Sequence, residues 1–409
     1  MKTSSPRARR TTEPLPAAVI IGLDCITGLQ TARILARRGV PVVGIAARPD
    51  HFCCRTNAVR RVIRSATSGE SLLTTLMALA GMLRQPAVLV PCTDLAVLTV
   101  SGARERLGAA FRMTLPDHEV VEMLMDKERF AAHAEAAGLP VPRTRLVRTR
   151  AEAERVANEL SYPVVLKPRL KTVEWQRNTS AKAFKTSNAD ELLATYDRVG
   201  GWSDVLLLQE WIDGGEENLY SCNCYYDRNG KCIATFVARK LRQWPPQTGT
   251  SSLGEECRND AVLRATLQLF SGVGYRGLGY VEMKRDARTG SHYVIEPNVG
   301  RPTGRSSISE AGGVELHFAA YCETAGLPLP PQLEQRYGGA KWIYLRHDVQ
   351  SALYYWRRGE LSLADWWRSI SGRKTEAVLD LSDPKPFVAD LLGSVAVAAR
   401  AAGRRFGGA

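Results

Sequence analysis

Gly279-Tyr-Val-Glu-Met-Lys-Arg-Asp-Ala-Arg-Thr-Gly-Ser-His-Tyr-Val-Ile-Glu-Pro-Asn-Val-Gly-Arg301 reads as a β-hairpin, two runs rich in Val, Ile and Tyr flanking a polar turn that ends in Gly290. A three-residue loop, Arg288-Thr289-Gly290 with the glycine left-handed, suggests the register. Counting outward from Thr289 brings Glu282 opposite Glu296, or one residue from it. Strand side chains alternate faces, so Glu296 and Asn298 share one. Like charges facing each other across a ladder are destabilising. Two carboxylates and an amide oxygen at one spot make physical sense around a hard divalent cation such as Mg²⁺, which takes oxygen ligands and borrows the rest from water and phosphates. The plainer alternative is a surface hairpin with solvated glutamates. The chain upstream has to decide between them.

The middle of the chain carries two lysines in suggestive places. Asp126-Lys127 opens a helix that ends at Gly138. After a second amphipathic helix, near residues 151–160, comes Tyr162-Pro-Val-Val-Leu-Lys167-Pro168. Pro168 ends the pairing and leaves the Lys167 ammonium aimed into the adjoining cleft. Val205-Leu-Leu-Leu-Gln-Glu-Trp-Ile-Asp-Gly-Gly-Glu216-Glu217 is a strand running into a turn. Its backbone around Glu210, Trp211 and Ile212 could pair with an adenine edge, and a carboxylate four or five residues later could take ribose hydroxyls.

In combination these pieces resemble the ATP-grasp superfamily, over roughly residues 17–323. The order is what carries the resemblance: Asp-Lys127, Val-Val-Leu-Lys167-Pro, Gln-Glu-Trp-Ile with Gly-Gly-Glu216, Glu282, then Ile-Glu296-Pro-Asn298. The resemblance implies that Lys127 and Lys167 hold ATP phosphates and that Gln209 meets the adenine amino group. Glu210, Trp211 and Ile212 would form the adenine slot, Glu216 would bind the ribose, and Glu282, Glu296 and Asn298 would hold Mg²⁺, or Mn²⁺ in its place. Two departures stand out. The loop after the second lysine, residues 169–181, lacks the family's glycines and would grip phosphate through Lys171, Arg177, Asn178 or Ser180. Arg301 stands three residues past Asn298 rather than two, so Arg305 competes with it for the catalytic role. The stretch from Ile233 to Ser252 adds Arg239 and Arg242, candidates to clamp a carboxylate or phosphate through forked hydrogen bonds. With Glu-Pro-Asn-Val-Gly-Arg, it is similar to the carboxylate–amine ligases of D-aspartate ligase type.

The flanks complete the plan. Residues 17–46 read as strand, turn, helix and strand, a right-handed βαβ unit without a GxGxxG fingerprint. Ala87 to Pro91 ends another strand, after which Asp94 either lines a cleft at the sheet's carboxyl end or caps a helix. Beyond Lys341 the chain is rich in Trp and Arg, and Phe387 to Arg405 reads as an apolar–basic helix suited to weak contact with an anionic membrane surface or to packing on its own domain. The expected fold is therefore α/β and α+β. A basic tail (1–15) and a Rossmann-like parallel-sheet domain (16–115) come first. An ATP-grasp lid subdomain (116–212), a catalytic subdomain (213–345) and a helical extension (346–409) follow.

Composition narrows the function classes. The chain has 409 residues and a net charge of +13, part of it in Lys2, Arg7, Arg9 and Arg10 at one end and Arg400, Arg404 and Arg405 at the other. No nucleic-acid-binding signature accompanies the charge, which favours anionic small substrates over nucleic acid. Nine scattered cysteines without a CxxC pair argue for a reducing cytoplasm and against zinc. The sequence has no apolar run long enough for a membrane span and no signal peptide. The expected activity is ATP-dependent joining of a carboxylate, through an acyl phosphate, to an amine, with amino-acid-like substrates and a homodimeric assembly as the resemblance implies. The rivals are a carboxylase-type relative that activates bicarbonate and a non-catalytic nucleotide sensor at a membrane or acidic polymer.

Overall fold

The computed structural model describes residues 14–169, 173–179, 181, 183–246 and 249–406. Lys171 and Ser180, the basic residues of the N-terminal tail, and the side chains of Arg400, Arg404 and Arg405 lie outside the described part.

Three sheets organise the chain. The first is parallel: β1 (Ala18–Ile21), β2 (Val42–Ala46), β3 (Arg61–Arg64), β4 (Ala87–Pro91) and β5 (Phe111–Arg112), in the order β3-β2-β1-β4-β5. β1 is fully buried, as a central parallel strand covered on both faces must be. The turn after β1 leads into the helix Ile26–Ala36 and is very tight. A Cβ on Gly28 would lie 2.3 Å from the Gly22 carbonyl oxygen, so only glycine fits.

The second sheet is small and antiparallel: β6 (Thr144–Val147), β7 (Val164–Pro168), β8 (Phe184–Thr186) and β9 (Leu206–Glu210), ordered β6-β9-β7-β8. Two helices, Arg150–Ala157 and Ala189–Val199, share its core, with Trp175 at its centre. The third sheet has seven strands. They are β10 (Leu219–Tyr226), β11 (Cys232–Trp244), β12 (Thr250–Glu256), β13 (Gly277–Arg285), β14 (His292–Val299), β15 (Lys341–Ile343) and β16 (Lys374–Glu376), ordered β14-β13-β10-β11-β12-β15-β16.

Two features differ from the expected divisions. The helices His118–Met125 and Lys127–Ala136, expected with the lid, bury Val121, Leu124, Phe130 and Ala134 in the core of the seven-stranded sheet. That packing fixes Lys127 relative to the hairpin rather than to the second sheet. The region after residue 345 is not a separate helical extension either. Its strand β16 completes the third sheet, and the helix Leu345–Arg357 packs on β11 and β12. The apolar faces of these short segments are too small to bury area among themselves, so they close on the larger core. Among the described residues no helix is long and apolar enough to cross a membrane, and all nine cysteines are free thiols.

Candidate active site

The hairpin of β13 and β14 places Glu282 directly opposite Glu296, and Tyr280 opposite Asn298. A bulge makes this register. Glu282 faces Glu296 while its neighbour Met283 faces Val294, which leaves Ile295 as the extra residue. At the turn, the Asp286 carboxylate accepts from the amides of Arg288 (2.8 Å) and Thr289 (3.2 Å), and Gly290 takes φ 76°. The facing carboxylates are not equivalent. Burial and the charge of Glu282 push the Glu296 carboxyl above its ordinary range. Burial opposes ionisation of Glu282 too. There the ammonium of Lys240, 3.4 Å away, and the Arg305 and Arg301 guanidinium groups win, and its carboxyl is held down.

This donor set suits a hard cation. It offers two carboxylates and an amide, and among the described residues no cluster of three or more His, Cys, Asp or Glu side chains competes as a metal site. The Asn298 amide oxygen accepts from the Arg301 guanidinium (2.6 Å), and its Nδ2 is buried without a partner. Gly300 explains how Arg301 reaches back. Its φ of 66° reverses the chain, and its amide donates to the Tyr275 hydroxyl at 2.8 Å. The extra residue between Asn298 and Arg301 is thus consumed by a left-handed turn. Arg301 also donates to Tyr280 Oη (2.8 Å) and to Asp94 (2.5 Å). Asp94 therefore meets the site through Arg301, while the cap of the helix Asp94–Gly102 is Thr93.

The two lysines converge on the hairpin from different elements. Lys127 opens the helix Lys127–Ala136, whose cap Asp126 is itself held by Arg169 at 2.6 Å. Lys167 ends β7 and donates to the Gln209 amide oxygen at 2.9 Å. Burial and the positive charge of Lys127 push Lys167 down to about 8, with Glu296 opposing. Its folded-state value lies below the ordinary lysine range, so the buried ammonium weighs against the native state at neutral pH. That penalty is relieved as pH rises from about 8 into the usual lysine range. A bound phosphate would need the charged form. Nucleotide affinity is therefore expected to fall as pH rises through about 8, and Lys167→Met to flatten that profile. Calorimetric titration of ATP between neutral and alkaline pH checks this.

The strand expected to meet adenine is partly committed elsewhere. The amides of Glu210 and Trp211 donate to the carbonyls of Arg143 (3.0 Å) and Pro163 (2.8 Å). The Glu210 carboxylate turns away and accepts from the Ser161 amide at 2.9 Å. The Glu210 side chain thus supports the strand, and a contact of Glu210 with a ligand would have to run through its backbone carbonyl. The Gln209 side chain spans Lys167 and Thr144 Oγ1 (2.8 Å), so it orients the lysine. The Trp211 ring lies within cation–π range of Lys185 (4.6 Å) and Lys284 (4.5 Å), and Ile212 is buried. Trp211, Lys185, Lys284 and Glu216 help to line a cavity of about 1510 Å³ between the second and third sheets, while Gln209 and Ile212 are not in its wall. Glu216 accepts from the Gln243 amide (2.8 Å) and the Tyr355 hydroxyl (2.7 Å).

A second cavity, about 570 Å³, lies beyond the hairpin carboxylates and is bordered by Lys240, Arg301 and Arg305 and by Ile26 and Thr27 of the first domain. The two cavities share Leu219, Gln243, Gly249 and Thr250 in their walls. Arg305 is buried and donates to Ser251 (2.8 Å) and Ser221 (2.7 Å). Arg239 and Arg242, expected to clamp a substrate, do not reach this space. Arg239 pairs across the ladder with Glu255 at 2.5 Å, and Arg242 makes a buried bidentate pair with Asp348, both contacts 2.9 Å. Each guanidinium is taken up by a carboxylate of the chain itself, although Arg242 also borders the larger cavity. Lys240 sits between them in the chain and does border the smaller cavity, paired with Glu282. Strand alternation puts it on the opposite face from Arg239, a cue already present in the period-2 pattern. Arg239→Ala, which breaks a partly exposed pair, is expected to cost under about 1 kcal/mol and leave KM values within about twofold. Steady-state kinetics and urea denaturation check this.

No protein-family profile matches the chain. Among curated proteins it is 25% identical to D-aspartate ligase of Enterococcus faecium over 231 residues, 54% of each chain. It is 24% identical to D-alanine–D-alanine ligase of Pseudomonas fluorescens over 189 residues, 43% of this chain and 53% of the relative. The chain thus spans about half the length of these relatives. Among solved structures it is similar to the ADP complex of N5-carboxyaminoimidazole ribonucleotide synthetase, with TM-score 0.59 and 16% identity over 80% of this chain and 81% of that one. It is also similar to biotin carboxylase of Campylobacter jejuni, with TM-score 0.60 and 16% identity over 78% and 72%. The shared fold is that of the ATP-grasp enzymes.

Proposed function

We propose that this chain, which has the fold of the ATP-grasp enzymes, acts as one of their carboxylate–amine ligases and joins an organic acid to an amine at the expense of ATP. The observation that carries the reading is the facing pair Glu282 and Glu296, under the charges of Lys127, Lys167 and Lys240, in the wall of a cationic cavity that shares part of its lining with a larger one. So dense an alternation of charge around an open junction suits a polyphosphate and its counter-ion better than it suits packing. In this reading the larger cavity takes the nucleotide and the smaller one the acid and amine.

The chemistry follows from the charges. An oxygen of the substrate carboxylate attacks the γ-phosphorus, and the bond to the β-bridging oxygen breaks, giving an acyl phosphate and ADP. The amine then attacks the acyl carbon, and inorganic phosphate leaves with the carbon–oxygen bond's electron pair while the amine gives up a proton. The protein needs no covalent nucleophile, because its work is positioning and charge neutralisation. Lys127 and Lys167 offset phosphate charge, and Arg305 and Arg301 hold the acid and the developing oxyanion. Glu282, Glu296 and Asn298 would hold Mg²⁺, which supplies Lewis-acid polarisation of the phosphate oxygens. The D-aspartate ligase likeness supports an amino acid or amino-acid-like substrate. The test is ADP release from ATP with Mg²⁺ and mixtures of acids and amines, the product then weighed by mass spectrometry. A ligase sustains ADP release, with formation of the joined product, only when both substrates are present, the acid alone supporting at most the first step. Release unaffected by any mixture would overturn the reading.

A further inference from the structure

Among the described residues, most of the exposed large hydrophobic side chains fall between Val349 and Val395. Their most regular set stands on the helix Lys385–Phe406. Val388, Leu391, Leu392 and Val395 follow the three-and-four spacing of a single helix face and are 48% to 64% exposed. The opposite face is anchored. Phe387 packs on the core beneath it, and the buried Asp390 accepts from the Tyr344 hydroxyl at 2.8 Å and from the Arg346 guanidinium at 2.9 Å. Just before the helix, Asp383 accepts from Arg33 at 2.9 Å. The first turns are therefore fixed on the body of the protein, and the apolar stripe is what they leave outside.

The helix runs for 22 residues, about 33 Å at the usual rise per residue. From Leu391 to Phe406 its sequence holds Arg400, Arg404 and Arg405 and no carboxylate, and from Val388 to Arg405 no aromatic residue. A protein partner fits this poorly, because protein interfaces concentrate their energy in aromatic anchors seated in pockets. A second copy fits it no better. In either orientation its helix offers those arginines no carboxylate, since its one acid, Asp390, is spent on Tyr344 and Arg346. An anionic bilayer answers both features, with an apolar layer for the stripe and lipid phosphates for the cations.

We propose that the helix Lys385–Phe406 is a membrane-surface helix, its exposed Val–Leu stripe lying in the interface of an anionic bilayer and its arginines meeting lipid phosphates, so that the rest of the chain is held beside the membrane. The proposal is independent of the ligase reading.

The test is co-sedimentation of the full chain with vesicles of phosphatidylcholine alone and of phosphatidylcholine mixed equally with phosphatidylglycerol, at low salt and with rising sodium chloride. The chain should pellet with the anionic vesicles, stay in solution with the neutral ones, and be released as salt rises. Leu391→Ser with Leu392→Ser should weaken binding by about tenfold. Arg400→Ser with Arg404→Ser and Arg405→Ser should weaken it by about a hundredfold. Met77→Ser with Met82→Ser, which alters exposed apolar side chains elsewhere, should bind as the unaltered chain does. Thermal midpoints measured alongside show that each variant is folded. The proposal is overturned if the chain ignores anionic vesicles at low salt or binds neutral ones equally well. It is also overturned if the leucine variant binds as tightly as the unaltered chain, which marks diffuse adhesion of a chain of net charge +13. Conversion of a dimer to a monomer by the leucine substitutions, seen by analytical ultracentrifugation, would place a second copy on the stripe and overturn it as well.

Discussion

Replacing Glu296 with glutamine is expected to lower ATP turnover by about a thousandfold and, in metal-free buffer, to raise the thermal midpoint. The two effects share one cause. Glu296 stands directly opposite Glu282, and burial together with that charge pushes its carboxyl upward. A carboxyl whose folded-state value exceeds its unfolded one stabilises the fold only while protonated, at low pH. That contribution is lost as pH rises through the folded value, so at neutral pH the ionised pair weighs against the native state. Glutamine keeps the shape and removes the repulsion, which is worth a few degrees in a chain of several cores. In the proposed metal site it would also remove one of the two carboxylates that would hold the cation. Added Mg²⁺ should therefore reverse the ranking, stabilising the wild-type chain and hardly moving the variant. Differential scanning calorimetry with chelator and with Mg²⁺, beside an ADP-release assay, checks all three statements. A variant that retains full turnover would sink the assignment of the hairpin as a metal site. One that melts lower in chelator would show that the pair is not repulsive.

The largest effect on stability is expected at Asp348. Its carboxylate is fully buried and accepts from both nitrogens of the Arg242 fork (2.9 Å each), from Trp366 Nε1 (2.9 Å) and from Ser252 Oγ (3.3 Å). Asp348→Ala leaves a guanidinium in the interior without its counter-charge, which should cost about 3–5 kcal/mol. Replacing both partners by apolar residues of similar volume, Arg242→Met with Asp348→Leu, should recover most of that loss, because the expense is the stranded charge. Urea denaturation of the two variants measures the difference. If Asp348→Ala costs less than about 1 kcal/mol, solvent reaches Arg242 and the pair is not the anchor of the helix Leu345–Arg357.

These two predictions also mark where sequence reading succeeds and where it stops. That Glu296 and Asn298 share a face could be read because a strand has a period of two. The three-residue loop Arg288–Gly290 expected to set the register is not what forms: Arg285 pairs with His292, one residue off that count, and the illegible bulge at Ile295 is what restores Glu282 opposite Glu296. Arg239 and Arg242 misled because a forked cation in a polar stretch looks the same whether its partner is a substrate or a distant carboxylate. Glu255 comes from the next strand, and Asp348 from more than a hundred residues further on. The Glu210 carboxylate is likewise spent on a partner from another loop, the Ser161 amide.

By itself, the order of apolar strands, helix caps and glycine turns determined that this chain builds a parallel α/β domain followed by an ATP-grasp pair of sheets. Those signals act between residues close in sequence, and an ordered set of them leaves few topologies open. Tertiary structure alone decided which cations face the cleft and which are spent on buried carboxylates. It also decided that residues beyond 340 complete the third sheet and reach back to Glu216. The physical reason is that a charge takes whichever partner the fold brings within hydrogen-bond distance. For most of these side chains that partner is encoded dozens to hundreds of residues away.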